Sequence, residues 1–90
     1  MNIIIIGAGN VGFTSAEVLA EGHNVLVVEN DRTKADSVKD LLNVSVLYED
    51  GTNPKILESV IDEHDAELVV ATLPEDGLNL FACIICKKHK

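Results

Sequence analysis

The first twelve residues, MNIIIIGAGNVG (1–12), decide the fold. Four consecutive isoleucines indicate a strand that is buried on both faces, as the strands of parallel sheets are. The glycines that follow, Gly7, Gly9 and Gly12, have the G-x-G-x-x-G spacing of dinucleotide-binding loops. This spacing is a weak signal by itself, but here it directly follows a strand pattern and opens a helical one, which makes it specific. The stretch therefore predicts a strand, a phosphate-binding turn and a helix.

The rest of the chain alternates between strand-like and helix-like segments. Such alternation is typical of a parallel sheet with right-handed crossovers. The sequence predicts a single α/β domain over residues 1–90, with a Rossmann-like doubly wound parallel sheet truncated to about four strands and flanked by helices. Strands are predicted at 2–6, 24–29, 44–48 and 67–71, and helices at 10–21, 31–42, 54–61 and from the end of a 72–77 loop to the terminus.

The composition excludes several classes of partner. The 90 residues carry a net charge of −8, whereas nucleic acids and anionic membranes bind to basic surfaces. No stretch approaches the roughly 20 apolar residues of a membrane-spanning helix, and the N-terminus lacks the basic residues of a signal peptide. We expect a cytoplasmic protein that neither binds nucleic acid nor inserts directly into a membrane.

The glycine loop predicts where a pyrophosphate would bind. Backbone N–H groups at the start of a helix bind phosphate oxygens, and a turn without ligand is the alternative. The candidate contacts are Gly7, Ala8, Gly9, Asn10, Val11 and Gly12.

An acidic residue is expected at the end of the second strand, about 20 residues beyond the loop, to bind the ribose hydroxyls. Glu29 ends the stretch NVLVVE, and Asn30 follows it as a further candidate. The Glu29 carboxylate would accept hydrogen bonds from the 2′- and 3′-hydroxyls and repel a 2′-phosphate, which disfavours NADP. The alternative is a solvated acid at a strand end.

The loops after the third and fourth strands should emerge at the same edge of the sheet. The third strand is followed by Asp50-Gly51-Thr52. The Asp50 carboxylate would accept a hydrogen bond from an adenine amino group, and Gly51 would let the base lie close. The alternative is a plain turn. Thr72 is placed to reach the phosphates or the second nucleoside. Asn79, in the first turn of the predicted last helix, either does the same or caps that helix.

The sequence shows no catalytic centre beside this site. It contains no Ser/His/Asp or Cys/His arrangement and no cluster with metal-ligand spacing. His23 and His64 precede strands, so we expect them at the opposite edge of the sheet. We therefore predict no catalytic residue, no metal, and a binding module instead of an enzyme; the cofactor-binding half of an NAD-dependent oxidoreductase is the alternative.

Four motifs together resemble the N-terminal domain of the TrkA family, also called the RCK or KTN domain. They are IIIIGAGNVG (3–12), NVLVVEND (24–31), YEDGTNP (48–54) and ATLPEDGLNLFAC (71–83), and the resemblance covers essentially the whole chain. The D-G-T motif and the pattern around 71–83 are more specific than the glycine loop, because most dehydrogenases lack them.

The resemblance implies a regulator of potassium transport. Members of the family bind NAD(H), ATP or ADP, form dimers or larger assemblies, and act peripherally on a membrane potassium transporter or channel subunit. The resemblance assigns ribose binding to Glu29, adenine binding to Asp50, and further contacts with the nucleotide to Thr72 and Asn79. The family often has Asp at the position of Glu29.

The last predicted helix is apolar nearly all round, and the fourth strand would be left with an unpaired, apolar edge. We therefore expect the chain to be part of a longer protein and to associate with a second copy. The predicted self-association surface consists of Leu80, Phe81, Ile84 and Ile85.

Overall fold

Strand β1 (Asn2–Ile6) lies at the centre of the sheet, because its four isoleucines are all buried and need cover on both faces. The computed structural model describes residues 1–75 and 78–85. Five strands have the order β3-β2-β1-β4-β5, in which β1 to β4 run parallel and β5 is antiparallel to β4. The other elements are α1 (Asn10–Leu19), β2 (Asn24–Glu29), α2 (Arg32–Leu41), β3 (Ser45–Tyr48), α3 (Pro54–His64), β4 (Leu68–Glu75) and β5 (Leu78–Ile85).

Alternate isoleucines of β1 point into two separate cores. Ile3 and Ile5 belong to the core beneath α1 and α2, together with Ala16 and Val38. The remaining two isoleucines pack on the opposite face against Val60 of α3 and its neighbours. The predicted doubly wound sheet is therefore confirmed, and the order of β1 to β4 matches the first four strands of the Rossmann order 3-2-1-4-5-6.

Side-chain caps set the starts of two helices where the sequence places them. The Asp31 carboxylate accepts a hydrogen bond from the Lys34 N–H (3.1 Å), and the Asn53 side chain accepts one from the Lys55 N–H (2.9 Å). Helix α3 continues to His64, three residues beyond its predicted end, where Asp65 adopts a left-handed conformation.

The predicted last helix is wrong in the described residues: 78–85 form strand β5, and β4 continues through Glu75 where a loop was expected. The register pairs Leu68 with Ile85 and Glu75 with Leu78. The segment LNLFACII is apolar except for Asn79, so its periodicity does not distinguish a strand from a helix. Pairing with β4 covers the strand edge that would otherwise leave backbone N–H and C=O groups without partners.

No helix in the described ranges has both the length and the apolar character needed to cross a lipid bilayer.

Candidate nucleotide-binding site

A cavity of about 170 Å³ opens at the carboxyl edge of the sheet, where α/β folds bind their ligands. It brings together residues from the ends of four neighbouring strands, as the sequence predicts. Nine of the predicted site residues line it: Gly7, Ala8, Gly9, Glu29, Asn30, Asp50, Gly51, Thr52 and Thr72.

Two glycines of the loop are required by close packing. Gly7 has a φ of +99°, and a Cβ there would clash with the Thr72 backbone. A Cβ on Gly12 would overlap the carbonyl oxygen of Gly7 and lie 2.7 Å from Thr72 Oγ1. Gly9 differs, because a Cβ built on it meets no atom within 4 Å. The space in front of Gly9 is therefore open, as close approach of a phosphate would require.

Helix α1 begins at this loop without a side-chain cap. Its cap residue, Gly9, offers no side chain, whereas α2 and α3 are both capped by one. The N–H groups in the first turn of a helix have no acceptor within it, and they carry the positive end of the helix dipole. An anion at the start of α1 would satisfy both.

Glu29 lies at the end of β2 and is only 6% exposed. One carboxylate oxygen accepts a hydrogen bond from the Ala8 N–H at 2.6 Å, and the other accepts one from the Asp31 N–H at 2.8 Å. An ionised carboxylate has about four acceptor positions, so two stay available to a ribose diol. Contact with ribose remains a prediction, but the reading of Glu29 as a merely solvated acid does not fit this burial.

Thr72 is 5% exposed and lies against the glycine loop from the β4 side. Its hydroxyl is 3.1 Å from the Ile6 carbonyl oxygen and 3.4 Å from that of Gly7, to either of which it donates. Thr72 thus supports the turn, and the predicted contact with a phosphate or a second nucleoside stays untested.

Asp50 is exposed at the rim of the cavity and forms a local turn with Thr52. Its Oδ1 accepts hydrogen bonds from the Thr52 hydroxyl (2.5 Å) and the Thr52 N–H (3.0 Å). These two bonds, the hydroxyl first, hold the pKa of Asp50 below its usual value of 3.8. Gly51 is buried, and a Cβ on it would lie 2.8 Å from the Ile6 side chain. The turn is therefore ordered, with a carboxylate at the rim.

Four predicted site residues do not line the cavity. One of them, Gly12, packs behind it against the carbonyl oxygen of Gly7. Asn10 and Val11 line a shallow groove along α1 instead. Asn79 lies on β5 opposite Pro74, so its placement in the first turn of a helix is wrong, and its side chain lies outside the described residues.

The histidines lie away from the cavity as far as the structure describes them. His64 Nε2 is 3.3 Å from the carbonyl oxygen of Asn24, at the amino end of β2. His23 immediately precedes that strand, and His89 is outside the described residues. Within 1–75 and 78–85 no group of three or more metal-ligating side chains occurs.

Sequence reasoning missed two polar residues of the cavity, Asp31 and Lys34. Asp31 is the N-cap of α2 and Lys34 lies in its first turn. Their closeness in sequence to Glu29 is the signal by which they could have been predicted to line the cavity. Lys34 adds an ammonium group to a cavity that otherwise carries the carboxylates of Glu29, Asp31 and Asp50.

Comparison with known proteins decides between the families that share this geometry. Residues 3–90 match the model of the TrkA-N domain. The chain belongs to the TrkA-N family. This confirms the resemblance carried by the four motifs.

Two curated relatives of this TrkA-N domain are archaeal. Trk system potassium uptake protein TrkA homolog 2 of Methanosarcina mazei is 38% identical over 89 residues, which are 97% of this chain and 19% of that protein. Trk system potassium uptake protein TrkA homolog of Pyrococcus abyssi is 35% identical over 88 residues, 97% of this chain and 38% of that protein. The chain thus spans less than half the length of these relatives, which are named for potassium uptake and not for an enzymatic activity.

A solved structure shares the fold of this TrkA-N domain. The enzyme WbmG of Bordetella bronchiseptica, in complex with NAD and UDP, superposes with a TM-score of 0.68 and 31% identity, over 84% of this chain and 27% of that one. The likeness confirms the Rossmann-like fold.

Proposed function

We propose that this TrkA-N domain is a regulatory module that binds an adenine nucleotide and controls a potassium uptake transporter or channel. The observation that carries the proposal is the cavity in which the open space at Gly9 and the buried carboxylate of Glu29 adjoin. These are the two features that a phosphate and a ribose require.

The nucleotide is NAD(H) or ATP/ADP in this proposal. All of them share the adenosine and phosphate groups that the cavity would contact. NAD is supported by the NAD complex of WbmG, which shares the fold. The carboxylates of Glu29, Asp31 and Asp50 oppose a 2′-phosphate and so disfavour NADP.

Thermal-shift and calorimetric titrations across NAD, NADH, ATP, ADP and NADP test the binding proposal. We expect saturable stabilisation by at least one of the first four and weaker stabilisation by NADP. Gly9→Ala is the matched variant, because a methyl group there projects into open space at the proposed phosphate position. Equal, unsaturable effects of all five nucleotides on both proteins would contradict the proposal.

The transporter partner is supported by the names of the relatives, which are Trk system potassium uptake proteins. We expect the protein to copurify with a potassium-transporter membrane subunit encoded beside its gene, and to do so in a manner that depends on nucleotide. The protein would act from the cytoplasmic side of the membrane as a peripheral regulator.

Self-association is part of the proposal. Strand β5 is at the edge of the sheet, and edge strands are templates for pairing with another chain. The apolar residues Leu80, Phe81, Ile84 and Ile85 lie on this strand instead of on a helix, so we propose β5 as the surface that contacts a second copy.

An oxidoreductase role is the second candidate, and the likeness to the NAD-bound enzyme WbmG is the observation that favours it. It would require a general acid or base beside the nicotinamide. His23 and His64 are at the opposite edge of the sheet. A flanking substrate domain with a Lys or His base in the parent reading frame would favour the enzyme over the regulator.

A further inference from the structure

The two buried polar side chains of the described region both bond to the same short segment. These side chains are Glu29 and Thr72, and the segment is the end of β1 and the start of the glycine loop, Ile6 to Ala8. One approaches from β2 and the other from β4, the two strands that flank β1. The loop is therefore held from both sides.

Glu29 holds the amide side of the segment. The bond from the Ala8 N–H to Glu29 Oε1, at 2.6 Å, is buried, short and charge-assisted. The second carboxylate oxygen is fixed by the Asp31 N–H, so the side chain cannot rotate without losing both bonds. The Ala8 peptide is thus oriented by a rigid acceptor.

Thr72 holds the carbonyl side. Its hydroxyl donates to the carbonyl oxygen of Ile6 or of Gly7, and both lie within 3.4 Å. The same Oγ1 lies 2.7 Å from the position that a Cβ on Gly12 would occupy, so it also sits at the contact between the turn and α1. Thr72 thereby fixes the turn relative to the start of the helix.

We propose that Glu29 and Thr72 are positioning residues that hold the glycine loop in its binding conformation before the nucleotide arrives. Ordering a loop costs conformational entropy, and a loop ordered by the fold does not incur that cost on binding. Glu29 therefore has an effect on phosphate binding that is separate from any contact with ribose. The inference rests on the proposed nucleotide-binding function.

Thr72→Val and Thr72→Ser separate positioning from general stability. Valine has the shape of threonine without the hydroxyl, and serine keeps the donor. We expect about 3- to 10-fold weaker ADP binding for Thr72→Val, the scale of one hydrogen bond, and near wild-type affinity for Thr72→Ser. Thr14→Val, at an exposed position of α1, is the control. Equal affinity of folded Thr72→Val and wild type would overturn the role of Thr72.

Glu29→Gln tests the acid with a ligand that has no ribose. The glutamine amide group would place an N–H donor against the N–H of either Ala8 or Asp31. We expect binding of inorganic tripolyphosphate to weaken at least 3-fold relative to Glu17→Gln, which makes the same charge change at an exposed position. Unchanged tripolyphosphate affinity would show that Glu29 acts on the ribose alone and overturn its positioning role.

Hydrogen exchange of the ligand-free wild-type protein tests the inference without any variant. We expect the Ala8 amide to be protected as strongly as that of Gly7, whose N–H donates to the Val28 carbonyl oxygen. An Ala8 amide that exchanges freely until nucleotide is added would overturn preorganisation. A protected Ala8 amide in a protein that binds none of the nucleotides would support the preorganised loop and contradict the proposed function instead.

Discussion

Gly12 packs directly on the carbonyl oxygen of Gly7, so closely that no side chain fits between them. Helix α1 therefore approaches the end of β1 as nearly as two backbones can. Gly9 lies between these residues in sequence but faces open space. Two glycines of the loop thus serve packing, and the third leaves room for a ligand.

Alanine at Gly12 should mainly lower stability, whereas alanine at Gly9 should mainly weaken nucleotide binding. Gly12→Ala overpacks the contact with Gly7 and should lower the free energy of unfolding by about 1–3 kcal/mol or more. Gly9 has an ordinary φ of −72°, so Gly9→Ala should lower the free energy of unfolding by less than about 1 kcal/mol. The added methyl group should weaken nucleotide binding. Urea denaturation and calorimetry would measure both quantities. Wild-type stability of Gly12→Ala would contradict the packing.

Removing the Glu29 carboxylate should weaken the binding of nucleotides that contain ribose. Glu29→Ala is expected to lose about 1–3 kcal/mol of binding free energy for NAD, as for charge-assisted hydrogen bonds. The preference for NAD over NADP should also shrink, since the charge that opposes a 2′-phosphate is gone. Titration calorimetry with Glu17→Ala as the control measures both effects, and unchanged NAD affinity would remove Glu29 from the site.

The pKa of Asp50 should depend on Thr52. A carboxyl group whose pKa is lower in the folded protein than in the unfolded chain stabilises the fold. This contribution is fully present at pH values above the usual pKa of 3.8, and it is lost as the pH falls through the lower pKa of the folded protein. Thr52→Val removes the hydroxyl donor, so the pKa of Asp50 should rise towards its usual value, whereas Thr52→Ser should keep it low. An NMR titration of the Asp50 carboxyl carbon would measure the difference; identical titrations in the two variants would rule out the hydroxyl as the cause.

Charges on β5 should disrupt self-association. We expect Phe81→Asp and Ile85→Asp to shift the sedimentation profile towards monomer, because an apolar contact between copies does not tolerate buried, unpaired charges. Val18→Asp, at a residue of α1 that is 64% exposed, is the control. Circular dichroism would verify that each variant is folded. A dimer that persists in both folded β5 variants would exclude this surface.

Local patterns were sufficient to predict the fold from β1 to α3. Each of these patterns specifies structure over a few neighbouring positions. They are the β-branched runs of buried strands, the cap residues Asp31 and Asn53, and Pro54 at a helix start. Strand β5 was not predictable in this way, since its conformation depends on the edge of β4 and its own sequence is apolar except for Asn79.

The candidate site was predicted in its positions but not in its internal bonds. The end of β2 predicts an acid near the ribose, and Glu29 does line the cavity. The Glu29 carboxylate accepts hydrogen bonds from the Ala8 and Asp31 N–H groups. These bonds depend on side-chain geometry, which the spacing of residues in the sequence does not predict.

Thr72 is separated by 66 residues along the chain from Ile6, whose carbonyl oxygen accepts a hydrogen bond from the Thr72 hydroxyl. Contacts of such long range are slow to form, because closing the intervening chain costs entropy before the contact stabilises the fold. A nascent chain that has made only β1, α1 and β2 would therefore possess the glycines and Glu29 yet lack the donor on the β4 side. The site is completed only when β4 docks, so nucleotide should report on the finished sheet and not on its intermediates.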